Sequence, residues 1–248
     1  MEKEVSGMPP AKYELRVFDD AAALADACAA WLYERAVASQ GRCAIALSGG
    51  STPAPTYARL ARAPLAQHFP WSRVHWFWGD ERFVAHEHPD SNYRLARDAF
   101  LAQAPVPREN LHPVPTAGLT PEAAAARYES ELKRWYGAER LSAERPLFEV
   151  NLLGIGDDGH TASLIPGQPV LEERERWVVA VSRGRPEPRI TLTYPALESS
   201  RVVAFLISGA KKREVLRRVL AGDATLPAAR LRPRGAGLIF ADRAACPG

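Results

Sequence analysis

The feature that most restricts this chain is a series of short, nearly unbroken apolar runs separated by segments of helical pattern. "CAIAL" (43–47), "VHWFW" (74–78), "FEVNLL" (148–153), "WVVAV" (177–181), "RITLT" (189–193), "VVAFLI" (202–207) and "GLIF" (237–240) each have the length of a strand. Several carry apolar side chains at successive positions, so both faces need cover, as in parallel strands lying under helices. Between them, Asp19 or Asp20 caps a helix with Leu24, Cys28, Trp31 and Leu32 on one stripe, ending before Gly41. Thr120-Pro121-Glu122 opens a second helix that Gly137 stops. Residues 210–220 form a third, with Val215, Leu216 and Val219 on one side. The alternation predicts an α/β fold: a doubly wound, mostly parallel, Rossmann-like sheet with helices on both faces.

A length of 248 residues suits one such unit, so residues 13–248 are read as a single catalytic domain behind a flexible N-terminal tail, 1–12. The Pro-rich piece 104–118 is taken as a surface crossing within that domain. A net charge of only +3 gives no reason to expect nucleic acid as a partner. No apolar run nears the ~20 residues that span a bilayer, so no membrane association is expected. The opening "MEKEVSGMPP" lacks the apolar centre of a signal peptide. Cys28, Cys43 and Cys246 are too few and scattered for a disulfide framework and read as free thiols of a reducing compartment. A cytoplasmic protein is expected, as a monomer or small homo-oligomer.

In such a fold, ligands bind beyond the carboxyl ends of the strands, so the loops that follow strands matter most. The first is "LSGGSTPAPTYARLA" (47–61). Gly49 and Gly50 let the backbone turn closely, Ser51 or Thr52 caps the next helix, and Pro53 enters its first turn. Backbone N–H groups, the helix dipole and the hydroxyls of Ser48, Ser51 and Thr52 then converge as a phosphate cradle. The loop lacks the Lys of a Walker A motif, which argues against a nucleoside triphosphate. The second, "WFWGDERFVAHEHPDSNYRLA" (76–96), puts Asp80, Glu81 and Arg82 just after a strand, with Asn92 further on as a supporting residue. Arg82 can clamp a carboxylate, a phosphate or a developing oxyanion. His86 and His88 have no third ligand at a suitable spacing, so they read as part of a surface loop and no metal site is expected.

The third loop, "VNLLGIGDDGHTASLIPG" (150–167), contains G-x-G-x-x-G at Gly154, Gly156 and Gly159. Asp157 and Asp158 would repel a pyrophosphate there, and His160-Thr161 stands where a dinucleotide turn wants an apolar helix start. The dinucleotide reading is therefore set aside. Asp158 and His160 instead flank Gly159, so the carboxylate can orient the imidazole as a general base for water. The fourth site is split between Arg189, at the start of "RITLT", and Lys211 or Lys212 at a helix start, where a cation opposes the dipole unless an anion lies nearby. No G-x-S-x-G elbow is present to supply a nucleophilic serine.

In their order, "LSGGSTP", "WGDERFV" with "DSNYRLA", "GIGDDGHTASLIPG", and "RITLT" with "SGAKK" resemble the 6-phosphogluconolactonase family, within the group that includes glucosamine-6-phosphate isomerase/deaminase. The resemblance implies the deaminase-type α/β fold and hydrolysis of 6-phospho-D-glucono-1,5-lactone to 6-phosphogluconate, a step of the oxidative pentose phosphate pathway, without metal or organic cofactor. It implies His160 as the base with Asp158 beside it, Arg82 near the reacting charge or the sugar acid, and the 48–52 turn, Arg189 and Lys212 on the phosphate. Asp80 and Glu81 either support catalysis or hold Arg82. Two alternatives stand beside this reading. The deaminase branch carries a Glu five residues after the His, where this chain has Ile165. A sugar-phosphate sensor would keep the cradle without needing the Asp158–His160 pair, but no appended helix-turn-helix is recognisable.

Overall fold

Two-sided apolar strands can bury themselves only in the middle of a layered structure, and the computed structural model, which describes residues 13–247, builds that layer. The tail expected at 1–12 lies outside the described residues. The chain runs β1 (Tyr13–Phe18), α1 (Ala21–Ala38), β2 (Cys43–Leu47), α2 (Pro53–Leu60), α3 (Leu65–His68), β3 (Val74–Trp78), β4 (Asp80–Arg82) and α4 (Asn92–Ala96). It continues through α5 (Pro121–Tyr136), β5 (Phe148–Leu153), β6 (Val178–Val181), β7 (Arg189–Leu192), α6 (Tyr194–Glu198), β8 (Ser200–Ile207), α7 (Arg213–Leu220), α8 (Pro227–Arg230) and β9 (Ala236–Asp242). Six strands pair in the order β1-β9-β8-β5-β2-β3, every pair parallel.

The strand order fixes where each crossover goes. The connections β1→β2 and β2→β3 step one way along the sheet, while β3→β5, β5→β8 and β8→β9 step the other way. Right-handed crossovers then put α1 and α2 on one face and α5 and α7 on the opposite face, the doubly wound arrangement. The reversal falls between adjacent strands β2 and β5, which pair at Ile45–Val150 and Ala46–Asn151.

Local sequence chemistry sets the helix ends. The Asp20 carboxylate accepts the Ala22 and Ala23 N–H groups at 2.9 and 2.8 Å and so opens α1. Thr120 Oγ1 accepts from Ala123 N at 3.2 Å ahead of Pro121, and Gly137 closes α5 in the left-handed region at φ 74°. None of the described helices is long and apolar enough to cross a membrane.

Three details depart from the sequence reading. "WVVAV" and "RITLT" do not join the parallel sheet; as β6 and β7 they form an antiparallel hairpin in a second sheet, ordered β4-β7-β6. Residues 182–188 between them are too few for a parallel crossover, which takes a dozen or more. β1 was not anticipated, because "YELRVF" lies at the sheet edge, partly open to solvent, and mixes polar with apolar residues. Residues 210–220 divide into a 3₁₀ turn, Ala210–Lys212, and α7.

β3 is buried at all five positions, and its end carries the loop that enters the site. There Tyr128 of α5 brackets Trp78: its hydroxyl accepts from Trp78 N at 2.8 Å and donates to Trp78 O at 3.0 Å. Tyr128→Phe leaves a buried backbone N–H without an acceptor and is expected to cost about 1–3 kcal/mol in urea unfolding at unchanged slope. An unchanged midpoint would remove this bracket from the account.

Candidate active site

The strand-end loops after β2, β3 and β5, together with β7 and the turn before α7, surround one cavity of about 280 Å³. Its walls include Ser48, Gly49, Gly50, Ser51 and Thr52 on one side, and His160, Arg185 and Ile165. Asp80, Arg82, Asn92, Arg189 and Lys212 complete the polar lining. The volume suits a ligand of phosphosugar size. No helix begins after Gly159, so the backbone of a dinucleotide turn is not built.

His160 is held from one side. Its Nδ1 is hydrogen-bonded to Asp158 Oδ1, and its backbone N donates to the same oxygen at 3.1 Å. Asp158 Oδ2 accepts from Arg185 Nη2 at 2.7 Å. Arg185 also lies 3.0 Å from His160 Nδ1. A proton on Nδ1 satisfies Asp158, leaves Arg185 bonded to the carboxylate alone, and frees Nε2 to accept a proton. With its side chain 30% exposed, His160 opens to the cavity rather than to the core. Gly156 makes room for this arrangement: a Cβ there would collide with the imidazole of His160 and approach Asp158 Oδ1 to 2.8 Å. Burial works against ionising Asp158, but hydrogen bonds from Arg185 and His160 outweigh it and hold the carboxyl well below the usual carboxylate range.

The cationic wall is built by sheet register. In the antiparallel pair β4–β7, Arg82 stands directly opposite Arg189. Like charges in that position destabilise a sheet unless an anion meets both. The Nε atoms of both arginines are buried without a partner among the described residues. Burial, then the Arg82 cation, depresses the Arg189 guanidinium from its ordinary value. Arg82 Nη1 donates to Asp90 O at 2.8 Å, which fixes its side chain. Lys212, not Lys211, lines the cavity, and its Nζ reaches Asp157 Oδ1 at 2.6 Å.

The supporting carboxylates divide their work. Glu81 turns inward: its carboxylate accepts N–H groups of Arg82, Asn92 and Tyr93 at 2.7–2.8 Å and the Ser91 hydroxyl at 3.2 Å. Glu81 therefore anchors the start of α4 and the loop carrying Arg82, while its burial raises its carboxyl pKa against the pull of those N–H groups. Asp80 faces the cavity and ties three loops together, accepting from Ser163 Oγ at 2.6 Å and from Asn92 Nδ2 at 3.3 Å. Asn92 in turn packs so closely on Gly49 that any Cβ there would strike its side chain.

The 48–52 turn differs in detail from the expected cradle. Ser48 N–H is taken by the Tyr57 hydroxyl at 2.9 Å, and Thr52 occupies the cap position of α2 without a side-chain cap bond. Ser51 and Thr52 thus keep hydroxyls uncommitted to the helix. His86 donates to Val114 O at 2.8 Å and His88 lies 3.8 Å from Asp90, both away from the cavity wall. Sequence reading missed Arg185 altogether. Its signal was the basic, turn-rich "SRGRPEP" immediately before "RITLT".

Because its pKa is depressed, Asp158 contributes stability above the unfolded carboxyl value, near ~3.9, and loses it as pH falls through the lower folded value. Carboxyl ¹³C titration by NMR is expected to place the Asp158 midpoint below that of an ordinary aspartate, and Arg185→Ala to raise it. A midpoint at or above ~3.9 in the unaltered protein would contradict the Arg185–Asp158–His160 chain.

Residues 19–240 match a family model described as glucosamine-6-phosphate isomerases/6-phosphogluconolactonase. A 6-phosphogluconolactonase of Synechocystis sp. is 44% identical over 211 residues, covering 84% of this chain and 85% of that protein. One from Nostoc sp. is 43% identical over 215 residues, covering 86% and 87%. Among solved structures, the Thermotoga maritima 6-phosphogluconolactonase superposes with a TM-score of 0.79 at 29% identity, over 94% of this chain and all of that one. A monomeric glucosamine-6-phosphate deaminase shares the fold, with a TM-score of 0.80 at 21% identity over 94% and 98% of the two chains. A family match over most of the chain, with relatives this similar, settles the assignment: the chain belongs to the glucosamine-6-phosphate isomerase/6-phosphogluconolactonase family.

Proposed function

We propose that this chain is an ester hydrolase that converts 6-phospho-D-glucono-1,5-lactone to 6-phospho-D-gluconate, in the oxidative pentose phosphate pathway, with residues 13–248 acting as one catalytic domain. The observation that carries the reading is a hydrogen-bonded His160–Asp158–Arg185 chain opening into the same cavity as the opposed cations Arg82 and Arg189. Relatives named 6-phosphogluconolactonase at 43–44% identity support the substrate class.

Lactone hydrolysis needs a base for water, a positive site for the developing oxyanion and a remote anchor for the substrate. His160 Nε2 takes a proton from water as its oxygen bonds to C1. Asp158, receiving Nδ1–H, stabilises the imidazolium that results. The tetrahedral intermediate collapses by breaking the bond between C1 and the ring oxygen, which takes the proton back from His160 and becomes the 5-hydroxyl. Arg82 stabilises the charge that gathers at C1 or holds the sugar acid. The 48–52 turn with Arg189 and Lys212 holds the phosphate. Water, an imidazole and fixed cations suffice for these steps, so the proposed reaction uses no metal or organic cofactor.

Ile165 favours this reading over amine chemistry. Its side chain is buried and apolar where it borders the cavity, and cannot transfer a proton there. The test is acid release from freshly prepared lactone, with spontaneous hydrolysis subtracted. His160→Ala is expected to lower kcat by roughly 10²–10⁴-fold with a smaller change in KM. Gly156→Ala is expected to move kcat the same way by displacing the imidazole, whereas Arg189→Ala and Lys212→Ala chiefly raise KM. Near-unchanged turnover in His160→Ala would remove the base. Binding of phosphogluconate without any acceleration by the unaltered protein would favour the sensor reading.

A further inference from the structure

A second polar cavity, of about 650 Å³, lies at the other end of the sheet. Its lining includes Ala44, Phe148 with Glu149, and Arg201, which are early residues of the parallel strands β2, β5 and β8, whereas the catalytic cavity lies beyond the strands' carboxyl ends. Four guanidiniums reach this cavity, from Arg35, Arg42, Arg145 and Arg201, against the single carboxylate of Glu149. That excess of three positive charges in one concavity equals the net charge of the whole chain, +3.

Glu149 is already engaged on both oxygens, by Arg35 Nη2 and, at 3.1 Å, by Arg201 Nε. Arg42 and Arg145 are held differently. Their guanidiniums lie over the rings of Trp135 and Tyr136, 4.2 and 4.0 Å from the ring centroids. Among the described residues neither guanidinium makes a hydrogen bond or ion pair. Stacking on a ring occupies the flat face of an arginine, fixes its orientation and leaves its N–H edge free for a bidentate oxyanion. Arg35 Nε adds a buried donor without an acceptor. Side chains that repel one another, prearranged with their donors unused, call for an anion carrying several charges. A single open concavity of about 650 Å³ admits a small molecule, whereas a nucleic acid would need a basic stripe along a surface.

We propose that this cavity binds a small metabolite bearing a pyrophosphate group, at a site separate from the catalytic cavity. Two linked phosphates supply the negative charge that offsets these guanidiniums, and their oxygens can accept from the N–H groups of Arg42 and Arg145. The proposal does not depend on which reaction the catalytic cavity carries out.

Inorganic pyrophosphate is the probe. Titration at low salt, followed by the indole N–H resonance of Trp135 in ¹H–¹⁵N spectra and by calorimetry, is expected to give saturable shifts of that resonance. Arg42→Ala/Arg145→Ala is expected to weaken this binding by roughly tenfold or more, with circular dichroism confirming that the variant is folded. If the double variant fails to fold, Arg145→Gln alone is expected to weaken binding in the same direction. Shifts confined to the 48–52 turn, equal affinity in the variants, or a Trp135 signal that does not move would each overturn the proposal.

Discussion

The catalytic crevice follows from the reversal of strand order between the parallel neighbours β2 and β5. Because the two strands are hydrogen-bonded neighbours whose crossovers leave to opposite faces, the loops at their carboxyl ends part and leave a crevice between them. One loop supplies the 48–52 turn and the other supplies Asp158 and His160. The hairpin β6–β7 then closes the crevice from the side by pairing with β4, which brings Arg82, Arg185 and Arg189 to the opening.

The crevice is electrostatically unbalanced by construction. Arg82 and Arg189 face each other at one register position, and Lys212 stands across the cavity wall beside Asp157. The acidic residues nearby are largely spent on architecture. Glu81 is consumed by backbone N–H groups of its own loop and of α4, and Asp80 joins β4 to Ser163 and Asn92. Asp158 is aimed at the imidazole of His160, and its hydrogen bond from Arg185 favours the ionised carboxylate. Under the proposed function, such a site holds an anionic ligand at one end and presents a base to the other.

Much of this was legible in the sequence because the strands of the parallel sheet are marked by unbroken burial and the loops by chemistry out of place in a core. The runs 43–47, 74–78 and 148–153 became strands at those limits, and the loops following them line the cavity. What escaped notice was set by pairing rather than by composition. β4 is three residues long, and nothing in "DER" marks it as a strand until β7 lies beside it. For the same reason the opposition of Arg82 and Arg189, a matter of register between segments far apart in the chain, could not be read from either segment. Arg185 sits in a loop too short for a parallel crossover, a sign that the sequence reading did not take up, and its reach to Asp158 depends on where the resulting hairpin docks. The uncertain choice between Lys211 and Lys212 was one of helix phase, and the 3₁₀ turn at 210–212 turns the second toward the cavity.

In the proposed reaction one end of a phosphorylated sugar acid meets the imidazole while the other meets the turn and the cations. A crystal structure of the protein with 6-phosphogluconate measures this directly. The C1 carboxylate is expected within hydrogen-bond distance of His160 Nε2, with the phosphate on Arg189, Lys212 and the 48–52 turn. A reversed ligand, with its phosphate at His160, or a ligand bound outside this cavity, would contradict it.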